Sequence, residues 1–461
     1  MSTIKCITPV DGSVYVERES ASAATIQQTL ASSTAAQKLW KNTPIAERQA
    51  LCSKAVDAFV ARKAEIAEEL TWQMGRPISQ APGEVAGFEE RARHMIAIAA
   101  DALADLQPEA KDGFTRYIKR EALGVAFIIA PWNFPYLTSV NAIMPALLAG
   151  NSVILKHSAQ TPLCAERLQQ AFDEAGLPPG VFQHLHLSHA DTETVIKSPL
   201  VNYVAFTGSV PGGEMVERVA AGRFIGVGLE LGGKDPAYVR KDANLQNAIE
   251  TVTDGALFNS GQSCCGIERV YVDEAIYQDF VAGVTALVGA YQLGRPDDTA
   301  TNLGPMVKTS AADFARGQID EAVAAGARAL IDPASFAANA SGTPYLAPQV
   351  LVDVDHSMRV MTEETFGPII SIMSVSSDEQ AIELMNDSEF GLTAAIFTQD
   401  EDAAIDIGDQ VQTGTWFMNR CDYLDPALAW TGVKNSGRGC TLSTVGFESL
   451  TRPKSYHLKT V

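Results

Sequence analysis

The sequence predicts an α/β protein of two lobes, each built on a largely parallel sheet. Three observations carry this. Short continuous apolar runs, such as Gly124 to Ala130, suit strands buried on both faces. Helix-like stretches with apolar residues every three or four positions separate those runs, which implies right-handed βαβ crossovers. The alternation also occurs twice, before and after Gly232-Gly233. With 461 residues and 46% hydrophobic content, the chain is long enough for two or three cores.

Taken in order, the first twenty residues read as a hairpin, with an Asp11-Gly12 turn leading into a strand Ser13 to Val16. Ala23 to Trp40, Ala46 to Met74 and roughly Glu84 to Leu106 follow as long amphipathic helices. Strands come next at Tyr117 to Arg120, Gly124 to Ala130, Ser152 to Lys156, Val181 to Leu187, Asn202 to Phe206 and Phe224 to Leu231, with helices at Ala165 to Ala175 and Gly213 to Ala221 between some of them. The second set comprises a helix Gln246 to Phe258, a strand Arg269 to Val272, a helix Ile276 to Leu287, and strands near Leu351, at Ile369 to Val375, Ala394 to Phe397 and Thr415 to Met418. Gly232-Gly233 reads as a hinge between the lobes, because glycine permits backbone angles that other residues resist. The tail Thr451 to Lys459 alternates apolar and polar residues and, with the strand near Tyr117, offers an edge for another subunit.

Charge and cysteine usage narrow the function. The net charge of −20 opposes binding to nucleic acid or an anionic lipid surface. No apolar run approaches the length of a membrane helix, and Met1 to Cys6 lack the charged-then-apolar pattern of a signal peptide, so a cytoplasmic protein is expected. Seven cysteines without a CxxC motif read as free thiols, and no metal site is expected.

Four segments carry chemistry-bearing residues. Phe258 to Cys265 brings a helix through Gly261 to two adjacent cysteines; alone, these suit small buried hydrophobes. Gly228 to Lys234 holds a carboxylate, Glu230, at an apolar strand end, where an ion pair with Lys234 is the plain alternative. Ala130 to Pro135 is a Pro-bounded turn that places Asn133 at the carboxyl end of a parallel sheet, where ligands bind, although turn asparagines commonly bond their own backbone. Lys156 ends a strand, and Phe206-Thr207-Gly208-Ser209 precedes a helix start that could take phosphate. The spacing there is not GxGxxG.

Together these segments resemble the aldehyde dehydrogenase superfamily, in order, from about residue 20 to the C-terminus. Glu-Leu-Gly-Gly-Lys and Gly-Gln-Ser-Cys match signature motifs of that family, and Pro-Trp-Asn-Phe-Pro, Phe-Thr-Gly-Ser, Glu363 to Pro368 and Gly432 to Gly437 fit as well. The resemblance implies an α/β protein with a Rossmann-like dinucleotide-binding domain (1–103, 123–232 and 436–446), an α/β catalytic domain (233–435) and a small β oligomerisation arm (104–122 and 447–461) that assembles a homodimer or homotetramer. It implies Cys264 as nucleophile, Glu230 as general base and Asn133 as oxyanion donor. Lys156 and Glu364 would hold the riboses of NAD or NADP; Trp132, Gly208, Ser209 and Phe366 would line the dinucleotide; and Cys265 would tune the pocket. The implied reaction oxidises a small aldehyde to a carboxylic acid through a cysteine thiohemiacetal and thioester.

Departures from the family pattern sharpen or open parts of this reading. Many NAD-preferring members have an acid three positions after the strand lysine; Ala159 stands here, so NADP fits as well, with NAD favoured. Ala429 to Gly432 replaces Pro-Phe-Gly-Gly, and Gly439-Cys440-Thr441 stands where many members have Gly-Arg-Glu, leaving proton removal to Glu230. Members that oxidise succinate semialdehyde commonly carry an arginine where this chain has Asn141, with Arg420 the one other anionic anchor in view. Asp422 and Asp425 then favour a neutral or amino-bearing aldehyde. The competing readings are a CoA-acylating semialdehyde dehydrogenase, against which Glu230 argues, and a non-catalytic structural protein with this fold.

Overall fold

The computed structural model describes residues 3–459. An antiparallel hairpin, β1 (Thr3–Ile7) and β2 (Val14–Glu19), leads into four helices: α1 (Ala23–Trp40), α2 (Ile45–Val60), α3 (Lys63–Met74) and α4 (Pro82–Ala102). The single helix expected from Ala46 to Met74 is two, because the chain turns at Ala61 and Arg62 while the apolar periodicity continues across the break. The second helix of that pair ends at Gly75 in a left-handed conformation with φ 85°, which caps it.

The first parallel sheet then forms. In chain order come β3 (Phe114–Ala122), β4 (Val125–Ile129), α5 (Pro135–Leu148), β5 (Ser152–Lys156), α6 (Pro162–Glu174), β6 (Phe182–His184), α7 (His189–Lys197), β7 (Val201–Thr207), α8 (Val210–Ala220) and β8 (Gly226–Glu230). The expected strand Phe224 to Leu231 is shorter, since Phe224 takes φ 53° and stands in solvent. Every residue of β4 is buried, as a strand covered by helices on both faces requires. The sequence sets no bounds on α5 or α7; the former is apolar almost all round, so its periodicity is faint.

The second lobe runs, in chain order, through β9 (Asp235–Val239), α9 (Leu245–Leu257), β10 (Ile267–Asp273), α10 (Tyr277–Gly289), α11 (Thr309–Ala324), β11 (Arg328–Ala329), β12 (Gln349–Val352), α12 (Arg359–Thr362), β13 (Ile369–Val375), α13 (Asp378–Asn386), β14 (Phe390–Gly391), which lies outside its sheet, β15 (Thr393–Phe397), α14 (Glu401–Gly408) and β16 (Thr415–Met418). β17 (Val433–Lys434), β18 (Gly437–Arg438) and β19 (Thr451–Lys459) complete the chain. The six-stranded sheet has the order β18-β8-β7-β4-β5-β6, and the seven-stranded sheet β11-β12-β13-β10-β9-β15-β16. All neighbours are parallel except β18 with β8 and β11 with β12.

Gly232-Gly233 does join the two sheets, for a reason other than the backbone freedom expected of it. Neither glycine has positive φ. A Cβ on Gly232 would stand 2.4 Å from the Glu364 carboxylate, and one on Gly233 would stand 2.5 Å from the Cys264 carbonyl oxygen. Close packing against the site demands both glycines. β19 pairs with β3 along its length as a separate antiparallel ribbon, with Tyr117 stacked on Tyr456 at 4.5 Å.

Candidate active site

Strand register assembles the site. Ile129 of β4 lies beside both Lys156 of β5 and Phe206 of β7, and Thr207 pairs with Glu230 of β8. Four parallel strands therefore end together, at the sheet edge where α/β folds bind ligands. Facing them, the loops that enter β10 and β13 bring in Cys264-Cys265 and Glu364-Thr365-Phe366.

The cysteine loop is formed by a tight turn after α9. Asn259 and Ser260 adopt φ 53° and 58°, and Gly261 φ 71°, where a Cβ would collide with the Gly367 carbonyl. The turn is held by side chains: the Asn259 amide donates to the carbonyls of Asn133 and Gln262, both at 3.2 Å. Of the two thiols, Cys264 is partly exposed and Cys265 is buried. The Cys265 thiol donates to Asp422 at 2.9 Å, and both its contact with Cys264 and its burial push its pKa well up. Cys264 is thus the thiol that faces open space.

Asn133 is buried beside that loop and donates one amide hydrogen to the Gln262 carbonyl at 3.2 Å, leaving the other for a ligand. Its own carbonyl accepts from Arg76. Arg76, which the sequence reading missed, is fully buried after α3, pairs with Glu84, bonds Asn259 at 3.2 Å and lies over the Phe134 ring at 4.5 Å. One guanidinium therefore ties the cysteine loop to the asparagine turn. Its only sequence signal was a charge following a helix-terminating glycine.

Glu230 is not paired with Lys234. Its carboxylate accepts from Thr441 at 2.6 Å and Thr207 at 3.0 Å, while Lys234 reaches Glu268 and, at 3.1 Å, Thr365. Burial raises the Glu230 pKa, opposed by those two hydroxyls and by Arg91. Glu268, also unforeseen, accepts the backbone N–H groups of Thr365 and Phe366 at 2.8 Å each, and so fixes the loop carrying Glu364.

Glu364 accepts from the Gly233 N–H through Oε1 at 3.1 Å, and its other oxygen has no donor among the described residues. Burial and the neighbouring Glu268 raise its pKa to about 8. Lys156 is partly buried, which lowers its pKa, and its ammonium has no partner among the described residues. Ser209 caps α8, accepting from the Gly212 N–H at 3.4 Å, and Gly208 donates to the Glu230 carbonyl at 3.0 Å. The Trp132 and Phe366 rings meet edge to face at 5.7 Å. An unpaired ammonium, a free carboxylate oxygen, a helix N-terminus and an aromatic pair fit the hydroxyls, phosphates and rings of a dinucleotide.

Behind the thiol lies a cavity of about 420 Å³, lined by Cys264, Glu230, Arg91, Asn141, Phe258 and Trp430 among others. Asp422 and Leu424 also line it, whereas Asp425 and Arg420 do not; the latter lies over the Tyr423 ring at 3.5 Å. Among the described residues no cluster of His, Cys, Asp or Glu is arranged to hold a metal ion, and no helix is long and apolar enough to cross a membrane.

Comparison with known proteins agrees with this geometry. The model of the aldehyde dehydrogenase family matches residues 1–456. The chain is 34% identical over 440 residues to the NAD(P)+-dependent succinate semialdehyde dehydrogenase Sad of Escherichia coli K12, covering 95% of this chain and 94% of that one. It is 33% identical over 421 residues to an NADP+-dependent succinate-semialdehyde dehydrogenase of Mycobacterium bovis, covering 90% and 91%. The solved succinic semialdehyde dehydrogenase of Streptococcus pyogenes, in complex with NADP+, superposes with a TM-score of 0.94 at 27% identity, covering 99% of this chain and 100% of that one. The chain belongs to the aldehyde dehydrogenase family, and its reaction is the NAD(P)-dependent oxidation of an aldehyde to a carboxylic acid.

Proposed function

We propose that in this family member Cys264 is the nucleophile, Asn133 the oxyanion donor and Glu230 the base for hydrolysis. The observation that carries the assignment is the difference between the adjacent thiols, both of which line the cavity with Glu230: Cys265 is buried and bound to Asp422, whereas Cys264 is partly exposed and has no such bond. The Cys264 thiolate adds to the aldehyde carbonyl, and the new oxyanion accepts from the free Asn133 amide hydrogen and the Cys264 backbone N–H. Bound NAD or NADP supplies the hydride acceptor that lets the adduct become a thioester. Glu230 then takes a proton from water, hydroxide adds to the thioester carbon, and the C–S bond breaks to release the acid and free Cys264.

Lys156 and Glu364 would hold the two riboses, Gly208 and Ser209 the pyrophosphate, and Trp132 and Phe366 the nicotinamide end. Ala159 carries no charge to repel a 2′-phosphate, so NADP fits as well, with NAD favoured. The segments 1–103, 123–232 and 436–446 form the dinucleotide-binding domain, 233–435 the catalytic domain, and 104–122 with 447–461 the arm of a cytoplasmic homodimer or homotetramer.

Rapid-mixing measurement of reduced nicotinamide tests the assignment. Cys264→Ala is expected to abolish reduction, whereas Glu230→Gln retains a burst near one equivalent per site followed by steady-state turnover roughly 100-fold slower or worse, in line with loss of a general base. A Glu230→Gln enzyme that turned over normally, or acid release that required coenzyme A, would overturn it.

A further inference from the structure

Resting on that reading of the site, we infer that Arg91 is its specificity-determining residue, the guanidinium gripping the far carboxylate of an ω-carboxy aldehyde. Arg91 lies within α4, is only 8% exposed, and lines the same cavity as Cys264 and Glu230. Its Nη1 donates to the Leu137 carbonyl at 2.6 Å and to the Asn141 amide oxygen at 3.4 Å. It has no ion-pair partner, and its Nε and Nη2 have no acceptor, among the described residues. A guanidinium this deep with donors unspent is stabilised by an anion arriving from the cavity, and its planar fork matches a carboxylate at two points.

The position is informative. Arg91, on α4, reaches Asn141 of α5, which lines the same cavity and carries no charge of its own. A charge absent from α5 is thus delivered to the same wall by α4. The acids around the cavity act on the guanidinium through space, none as an ion-pair partner among the described residues: Glu84 is paired with Arg76 and the N-terminus of α5, Glu90 accepts from the Tyr423 hydroxyl at 2.7 Å, and Asp422 accepts from Ser263, at 3.0 Å, and from Cys265 on one oxygen, Oδ1. Glu230 is held by its two threonines, and Asp254 sits exposed at the mouth. An ammonium-bearing substrate would set its charge against Arg91. The preference for neutral or amino-bearing aldehydes expected from Asp422 and Asp425 gives way to this reading, since Asp422 already holds Ser263 and Cys265 through Oδ1 and Asp425 lies outside the cavity, accepting from the Ala427 N–H at 2.9 Å.

The test compares kcat/KM for 4-oxobutanoate, butanal and 4-aminobutanal. The wild-type enzyme is expected to favour 4-oxobutanoate over butanal by at least about tenfold, and Arg91→Met to lower that ratio by about 10- to 100-fold, mainly through KM, the size of a charged hydrogen bond. Arg91→Met/Asn141→Arg should recover part of the ratio. A wild-type preference for 4-aminobutanal, or an Arg91→Met loss equal for all three aldehydes, would sink the inference while leaving the oxidation chemistry intact. Binding of succinate against butyrate to the wild-type protein, followed by thermal shift, reads the same contact without turnover or a variant; equal binding of the two also overturns it. Activity that survived Cys264→Ala would instead indict the assignment of the nucleophile.

Discussion

Glu230 shows how a single carboxylate is tuned by what replaces its usual neighbours. Thr441 lies in the stretch where many family members place a second acid, and here its hydroxyl donates to Glu230 at 2.6 Å. Burial raises the Glu230 pKa, so the ionised base is present only above a pH higher than the ordinary carboxylate range; the Thr441 bond favours the ionised form and pulls that threshold back down. Thr441→Val should therefore move the acid limb of the kcat profile to higher pH. An unmoved limb in the kcat profile between pH 5 and 9 would show that Thr441 does not control the base. The same hydroxyl was invisible in the sequence as a partner, because 211 positions separate it from Glu230.

At the level of elements, the α3–α4 connection is bound to the start of α5 by buried charge. Arg76 and Glu84 are both inaccessible, and Glu84 also accepts the N–H groups of Tyr136 and Leu137 at 2.9 Å, where a helix N-terminus favours negative charge. Arg76→Met strands Glu84 without its cation and is expected to cost about 3–5 kcal/mol, read as a lower urea midpoint at unchanged slope. Little change in the midpoint would mean that solvent already reaches the pair. Gly261→Ala tests the cysteine turn differently: φ 71° and the Gly367 carbonyl 2.2 Å from the added methyl oppose it, so activity should fall with the loop's geometry. An alanine variant with wild-type kcat and KM would show that the turn tolerates rearrangement. Neither constraint is legible locally, since each joins segments far apart in the chain.

Across the whole molecule, the β3–β19 ribbon is the least covered part of the fold. Among the described residues its nine-residue strands pair with one another and with no other strand, apart from a bridge between Leu106 and Ile118 of β3, and a two-stranded ribbon is marginal alone. The open edge of β19 suits the pairing of subunits. Sedimentation of the intact protein should give a dimer or tetramer, and removal of residues 451–461 a smaller species. A monomeric intact chain would show that the ribbon serves some other contact.

The sequence by itself determined the α/β class, the double run of alternating elements, the strand character of the C-terminal tail, and the motifs that mark the family. These depend on local periodicity and on residue types in fixed order, which one dimension preserves. It misjudged the chain break at Ala61 and set no bounds on the nearly all-apolar α5. Only the tertiary structure decided that Glu230 belongs to two threonines rather than to Lys234, that Arg76 and Glu268 lock the two loops of the site, and that Arg91 reaches Asn141. Hydrogen-bond partners and burial are set by segments brought together in folding, and a side chain's charge acts only through what it then touches.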